Sequence, residues 1–140
     1  MPQTLKELTI DTPGPGMTDV TRPIAGWLRA QSVGDGLLTI FIRHTSASLT
    51  IQENADPDVQ HDLVDALSRM APQDSSYRHG IEGPDDMPAH IKSALTATSL
   101  SIPVISGAMV LGAWQGVYVM EHRARPHRRN IVLHFAGDVV

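Results

Sequence analysis

Imidazoles, a carboxylate and an amide stand at the ends of segments that otherwise read as hydrophobic core. His44 opens the run His44, Thr45, Ser46, Ala47; Tyr77, Arg78 and His79 precede Ala89 and His90; and Gly112, Ala113, Trp114 and Gln115 lead to Glu121. Three neutral imidazoles that leave one coordination position open are what a catalytic zinc uses to polarise an oxygen or activate water. His44, His79 and His90 are therefore candidate ligands of a divalent metal, with zinc the first expectation. The alternative is that each is a core or surface histidine with its own partner. The chain has no cysteine, which removes disulfides, a thiolate nucleophile and sulfur-ligated zinc, so a metal centre must be built from His, Asp or Glu.

Glu121 shares its alternation with Val117 and Val119, so a carboxylate interrupts an otherwise apolar strand face. A buried carboxylate needs a cation, a metal or a proton. Glu121 is thus either a general base or metal-water partner, or half of an ion pair with a nearby arginine. Gln115 either orients a substrate or satisfies a backbone group, and Trp114 beside it is most simply core. Arg123, Arg125, Arg128 and Arg129 fall within seven positions, a cluster that suits a small anion such as a phosphate ester unless it is a solvated loop. Arg125, Arg128 and Arg129 are the candidate anion ligands, with Ser46 as a further substrate contact. A nucleophilic role for Ser46 is not expected: strand neighbours face opposite ways, and no Gly-x-Ser-x-Gly turn is present. Glycine-rich nucleotide motifs are also absent.

These groups need a frame, and the hydrophobic pattern supplies one. Residues 5–10 alternate as a strand with one buried face. Pro13 to Gly16 break it, and Thr21 is placed to cap a helix with Pro23 in its first turn and an Ile24, Trp27, Leu28 stripe, ending near residues 34–36. Residues 37–42 are nearly all apolar and read as a strand buried on both faces. Beyond it Ala47, Leu49 and Ile51 face the core, while Ser46, Ser48, Thr50 and Gln52 face away with His44. Pro57 starts a helix with an inward stripe of Val59, Leu63, Leu67 and Met70, stopped by Pro72. Residues 73–88 read as a long loop, of the kind that often carries function. Asp86 can cap a helix over 87–98 with Ile91 and Leu95 inward, and strands follow over 100–105, 109–111, 116–121 and 130–135. The expected fold is a single α+β domain over residues 1–140, with a largely antiparallel sheet and about three helices.

Length and charge narrow the function. A chain of 140 residues encloses one core without staples. A net charge of -4 argues against general nucleic-acid binding, which needs a basic field. The first residues hold no signal-like pattern, and no apolar run is long enough to span a bilayer, so a cytoplasmic protein is expected.

The ordered blocks resemble the YjbQ family, known as secondary thiamine-phosphate synthase enzymes. The resemblance rests on His44 to Ala47, Leu49 to Pro57, Tyr77 to His79 with Glu82 and Gly83, Ala89 to Ser93, and Ser99 to Val104 through Leu111 to Gln115, ending in Glu121. It implies a compact α+β homotrimer with a histidine-rich metal pocket near the subunit interface. Carried onto this chain, the implied ligands are His44, His79 and His90, with Glu121 and Gln115 near by. Two departures stand out: Ala113 replaces a threonine, and residues 122–129 replace the family's Asp-Gly-Pro-Arg segment. The implied activity is a transfer joining a hydroxymethylpyrimidine diphosphate to a thiazole phosphate. The alternatives are metal-assisted hydrolysis of a small phosphorylated or carbonyl metabolite with Glu121 as base, and a non-catalytic metabolite-binding protein.

Overall fold

In a computed structural model that describes every residue except Ser75, the strands form two antiparallel sheets rather than one. The chain runs β1 (Gln3–Thr12), β2 (Gly16–Asp19), α1 (Thr21–Ala30), β3 (Val33–Ile42), β4 (Ala47–Glu53), α2 (Pro57–Met70), α3 (Asp86–Leu95), β5 (Ser99–Ile105), β6 (Ala108–Met109), β7 (Gln115–Glu121) and β8 (His127–Val139). The larger sheet has the order β1-β8-β3-β5-β6 and the smaller β2-β7-β4. One core joins them: Leu38, Ile40 and Ile42 of β3, Leu49 of β4, Val117 and Val119 of β7, and Ile131, Leu133 and Phe135 of β8 pack with Ile24 and Leu28 of α1. Each such side chain contributes roughly 1.5–3 kcal/mol when removed from water. No helix among the described residues is long and apolar enough to cross a membrane.

The α+β reading holds, with corrections that have local causes. β3 is buried on one face only. Its neighbours β8 and β5 lie in its own sheet, so Leu38, Ile40 and Ile42 face the core while Leu37 and Phe41 are 45% and 47% exposed. Residues 34–36 belong to this strand and do not end α1, which stops at Ala30 before Ser32 turns at positive φ. Thr21 is the first residue of α1, not its cap: its backbone N–H is held by Asp19 Oδ1 at 2.8 Å, and its hydroxyl accepts from Val117 N at 2.8 Å. α2 is capped by Asp56, whose carboxylate accepts from Asp58 N at 2.9 Å. The helix lies at the edge of the fold, so Val59, Leu63 and Leu67 are half-buried and Met70 is exposed.

α3 ends at Leu95, which is exposed, because Thr96 Oγ1 bonds back to the Lys92 carbonyl at 2.9 Å and closes the last turn. Trp114 is 67% exposed at the turn into β7 and is not core. Ser48 does not face away: it is fully buried and bonded to His122 Nε2 at 2.8 Å. The irregular stretch ahead of α3 carries no strand or helix among its described residues, and Ser75 within it lies outside them.

At one end of the larger sheet β3 and β8 approach more closely than side chains allow. A Cβ on Gly36 would meet Gly137 Cα at 2.8 Å, and one on Gly137 would meet Gly36 Cα at 2.6 Å. Both contacts are with backbone, which cannot move aside without opening the ladder. Gly36→Ala is expected to destabilise by about 2 kcal/mol or more. Gly26→Ala, inside α1 and meeting only a flexible arginine end at 3.7 Å, should stabilise by about 0.5–1 kcal/mol. Urea denaturation midpoints of the two variants check both signs.

Candidate functional site

Asp86 and His90 are four apart on α3 and so stand one above the other on one helix face. The preceding loop folds back over that face. His79 Nε2 lies 2.7 Å from Asp86 Oδ2, and His90 Nε2 lies 3.1 Å from the same oxygen. One donor atom from each of the three residues falls within 4.8 Å of the others, and the two rings meet edge-on. Asp86 is buried, while both imidazoles keep solvent access and His79 lines a cavity of about 450 Å³ with Tyr77, Gly80, Gly83 and Met87.

Arg123 fixes the start of α3. Its guanidinium bonds Asp86 Oδ1 at 2.9 Å, Asp85 Oδ2 at 2.8 Å and the Glu82 carbonyl at 2.9 Å. The Arg123 hydrogen bond holds the Asp85 carboxyl down to about 2 against the effect of burial. Burial pushes the Asp86 carboxyl up, but the His79 hydrogen bond and the charges of His90 and Arg123 outweigh it and keep Asp86 below the usual aspartate range.

The tautomer of His90 reveals what this arrangement accommodates. Its Nδ1 is 2.9 Å from the Thr45 carbonyl, a pure acceptor, so Nδ1 carries the ring proton. Nε2, 3.1 Å from the Asp86 carboxylate, then either carries a second proton that it donates to that oxygen or offers a lone pair that a bound cation would take up. Ligand atoms arranged tetrahedrally about 2.0–2.1 Å from zinc are roughly 3.3 Å apart. The 2.7 Å and 3.1 Å separations would have to open by about 0.6 and 0.2 Å, with the third pair within 4.8 Å, so side-chain adjustment alone lets the His/Asp/His donor set fit a divalent metal.

His44 stands apart from this cluster. Its Nε2 accepts from Asn130 N at 2.8 Å, and Arg129 NH1 lies 3.3 Å from Nδ1. A neutral imidazole has one lone pair, and here the backbone holds it. Burial, then the Arg129 charge, lowers the His44 pKa and keeps the ring neutral. Asp86 occupies the third position for which the histidine pattern nominated His44. The i, i+4 spacing of Asp86 and His90 was the available signal; Asp86 is not the expected cap but the first residue of α3, with Asp85 at the N-cap. Arg123, the one member of the arginine cluster that reaches the site, is also visible in sequence only as part of that cluster.

The remaining candidates divide by location. Glu121 is buried and paired with Arg129, whose Nε donates to Oε1 at 2.7 Å. Thr12 Oγ1 donates to Oε1 at 2.6 Å and Arg123 N to Oε2 at 3.0 Å. Burial raises the Glu121 pKa, but these donors reverse the direction and keep it ionised below its ordinary value. The ion-pair alternative therefore describes Glu121 in this fold. Arg129 is correspondingly removed from the surface, and Ser46 Oγ accepts from it at 3.1 Å. Arg128 is exposed and 3.3 Å from Asp11, and Arg125 is exposed. Gln115 Oε1 accepts from Gly112 N at 2.8 Å, satisfying a turn. It sits at the opposite end of β7 from Glu121, about 20 Å away at strand rise.

Comparison with known proteins agrees with this architecture. The family model described as UPF0047 protein YjbQ-like matches residues 6–138. The chain is 50% identical over 133 residues to the UPF0047 protein sll1880 of Synechocystis sp., covering 94% of this chain and 90% of that one. It is 42% identical to the UPF0047 protein YjbQ of Escherichia coli O157:H7, covering 95% and 97%. A crystal structure of a YjbQ/UPF0047 family protein from Clostridium acetobutylicum superposes with a TM-score of 0.86 at 33% identity, covering 94% and 99%.

His122 gives the fold a pH dependence. Burial, then the Lys92 charge, lowers its pKa from 6.5 to about 4, so the folded state holds it neutral while the unfolded chain protonates first. The stability this confers is complete above pH 6.5 and is lost as pH falls toward 4, by up to the order of 3 kcal/mol. His122→Asn should flatten the stability profile across that window in urea titrations at successive pH values.

Proposed function

The chain belongs to the YjbQ-like UPF0047 family, and from that membership and the site geometry we propose a metal-dependent transferase acting on small phosphorylated metabolites. His79, Asp86 and His90 hold the divalent cation, zinc in the first instance, and the reaction is the thiamine-phosphate synthase-like transfer that the sequence resemblance implies. The observation that carries this reading is the convergence of three donors beneath an open cavity, with His90 turned by Thr45 and Asp86 braced by Arg123.

When bound, the cation neutralises charge that develops on the departing diphosphate. The transfer forms a carbon–nitrogen bond from the thiazole nitrogen and breaks the carbon–oxygen bond to the diphosphate, which leaves with the electron pair. No proton has to be removed in that exchange. This favours transfer over hydrolysis with Glu121 as base, because Glu121 is neutralised by Arg129 and has no solvent face. The protein's part is to orient the donors and to supply positive charge, with exposed Arg125 the available member of the expected anion set.

The homotrimer belongs to the same proposal, as does a cytoplasmic setting. Its support is the outward face of the larger sheet, where Leu37 and Phe41 stand exposed opposite Ala136 and Val132 of β8. Thr39 and His134 lie between these two pairs on the same face, and exposed apolar side chains on an open sheet face of this kind mark a contact site. Within one chain Gln115 is remote from the metal residues, so only a neighbouring subunit can bring it near such a pocket.

Elemental analysis of the purified protein should find close to one divalent metal per chain. Asp86→Asn should remove it, and Arg123→Gln, which keeps every ligand, should weaken metal affinity about 10–100-fold. Given both organic substrates, the loaded protein should release pyrophosphate and Asp86→Asn should not; no product with any metal refutes the transferase. Sedimentation should give three times the 15.2 kDa chain mass, and Phe41→Lys should shift it toward one.

A further inference from the structure

The only two lysines in the chain, Lys6 and Lys92, stand in opposite settings. Lys6 projects into solvent from β1, whereas Lys92 is half-buried on α3. It lies two residues beyond His90, about 200° round the helix and so away from the His79, Asp86 and His90 cluster. Its side chain borders a cavity of about 250 Å³ shared with Ser68 of α2, with Asp85 and Pro88 at the start of α3, and with His122 after β7.

Three features leave the Lys92 ammonium poorly compensated. Among the described residues its hydrogen-bond partner is a neutral hydroxyl, Ser68 Oγ, at 3.3 Å. The carboxylate on the cavity wall, Asp85, lies beyond ion-pair distance of Nζ and is taken up by Arg123 Nε at 2.8 Å and Ala124 N at 2.9 Å. A helical side chain leans toward the N-terminus of its helix, which carries the Lys92 stem toward Pro88 and the first turn, where the helix dipole is positive. Burial therefore acts without an opposing charge, pushing the Lys92 pKa below the ordinary lysine value and raising the fraction of free amine at a given pH. A desolvated lysine of this kind is how proteins prepare an amine nucleophile.

We propose that Lys92 is a nucleophilic amine that captures a small uncharged aldehyde or ketone in this cavity as a Schiff base. The nitrogen lone pair forms a bond to the carbonyl carbon. The carbon–oxygen bond of the adduct then breaks, the oxygen leaves as water with the two hydrogens that nitrogen gives up, and a carbon–nitrogen double bond remains. Ser68 Oγ, in contact with Nζ, is placed to relay one of those protons. The volume is below that of sites for drug-sized ligands, so the compound has only a few carbons, and Asp85 on the wall disfavours one that bears a carboxylate. The capture requires neither the metal nor the transfer proposed above.

The test treats the purified protein with propionaldehyde and cyanoborohydride, which reduces an imine to a stable secondary amine, and quantifies labelling at each lysine by peptide mass spectrometry. Lys6 is the internal reference. Lys92 should react about threefold faster or more despite its lesser exposure, and its rate should level off as aldehyde concentration rises while that of Lys6 stays proportional. Ser68→Leu, which fills the cavity, should slow Lys92 at least about threefold and spare Lys6, and unfolding in urea should erase the difference between the two lysines. Folded protein in which Lys92 reacts no faster than Lys6, shows no plateau, or keeps its rate in Ser68→Leu overturns the proposal.

Discussion

A carboxylate with almost no solvent contact has to be neutralised, and Arg129 of β8 does this for Glu121 of β7 across the boundary between the two sheets. Breaking such a pair typically costs about 3–5 kcal/mol through the charge left behind, whereas replacing both partners with apolar groups is often harmless. Its role is better understood as fixing position than as supplying stability. Glu121 also gathers the Thr12 hydroxyl from β1 and the Arg123 backbone, while Arg129 reaches the Ser46 carbonyl and hydroxyl and the ring of His44. Four segments distant in sequence are pinned at one place.

From that node two arms extend to the His79, Asp86 and His90 cluster. Thr45, between the two residues Arg129 touches, turns the His90 ring through its carbonyl, and Arg123, two residues after Glu121, clamps Asp85 and Asp86 at the start of α3. The three clustered side chains thus sit on a loop and a helix end but are oriented from the sheet core. This is the general way a rigid scaffold gives precision to groups that must stay open to solvent. His79 alone depends on the irregular loop, and it is the most exposed of the three.

Much of the frame was legible in sequence because periodicity reports which face of an element is covered. The β7 alternation of Val117, Val119 and Glu121 correctly places a carboxylate in the interior, and Pro57 marks the start of α2. Periodicity is silent about what covers an apolar run: residues 37–42 read as buried twice over, although only one face of β3 meets the core. The clustering of the candidate ligands was partly legible. His79 and His90 converge, but His44 could be separated from them only by knowing that β8 brings the Asn130 N–H to its lone pair, a contact spanning 86 positions. Asp86 reads in sequence as a helix cap, and nothing local shows that Arg123 and two imidazoles will claim its carboxylate. Ser48 illustrates the same limit, since a polar residue on an expected outer face is buried once His122 arrives to satisfy it.

The two tryptophans occupy contrasting surroundings. Trp27 is half-buried against the core from α1, whereas Trp114 projects into water at the turn before β7. Because indole emission shifts to shorter wavelength on leaving water, the chain carries two built-in optical probes of different events. Loosening of the hydrophobic interior reddens the signal of Trp27, and anything that covers the tip of the smaller sheet turns that of Trp114 blue.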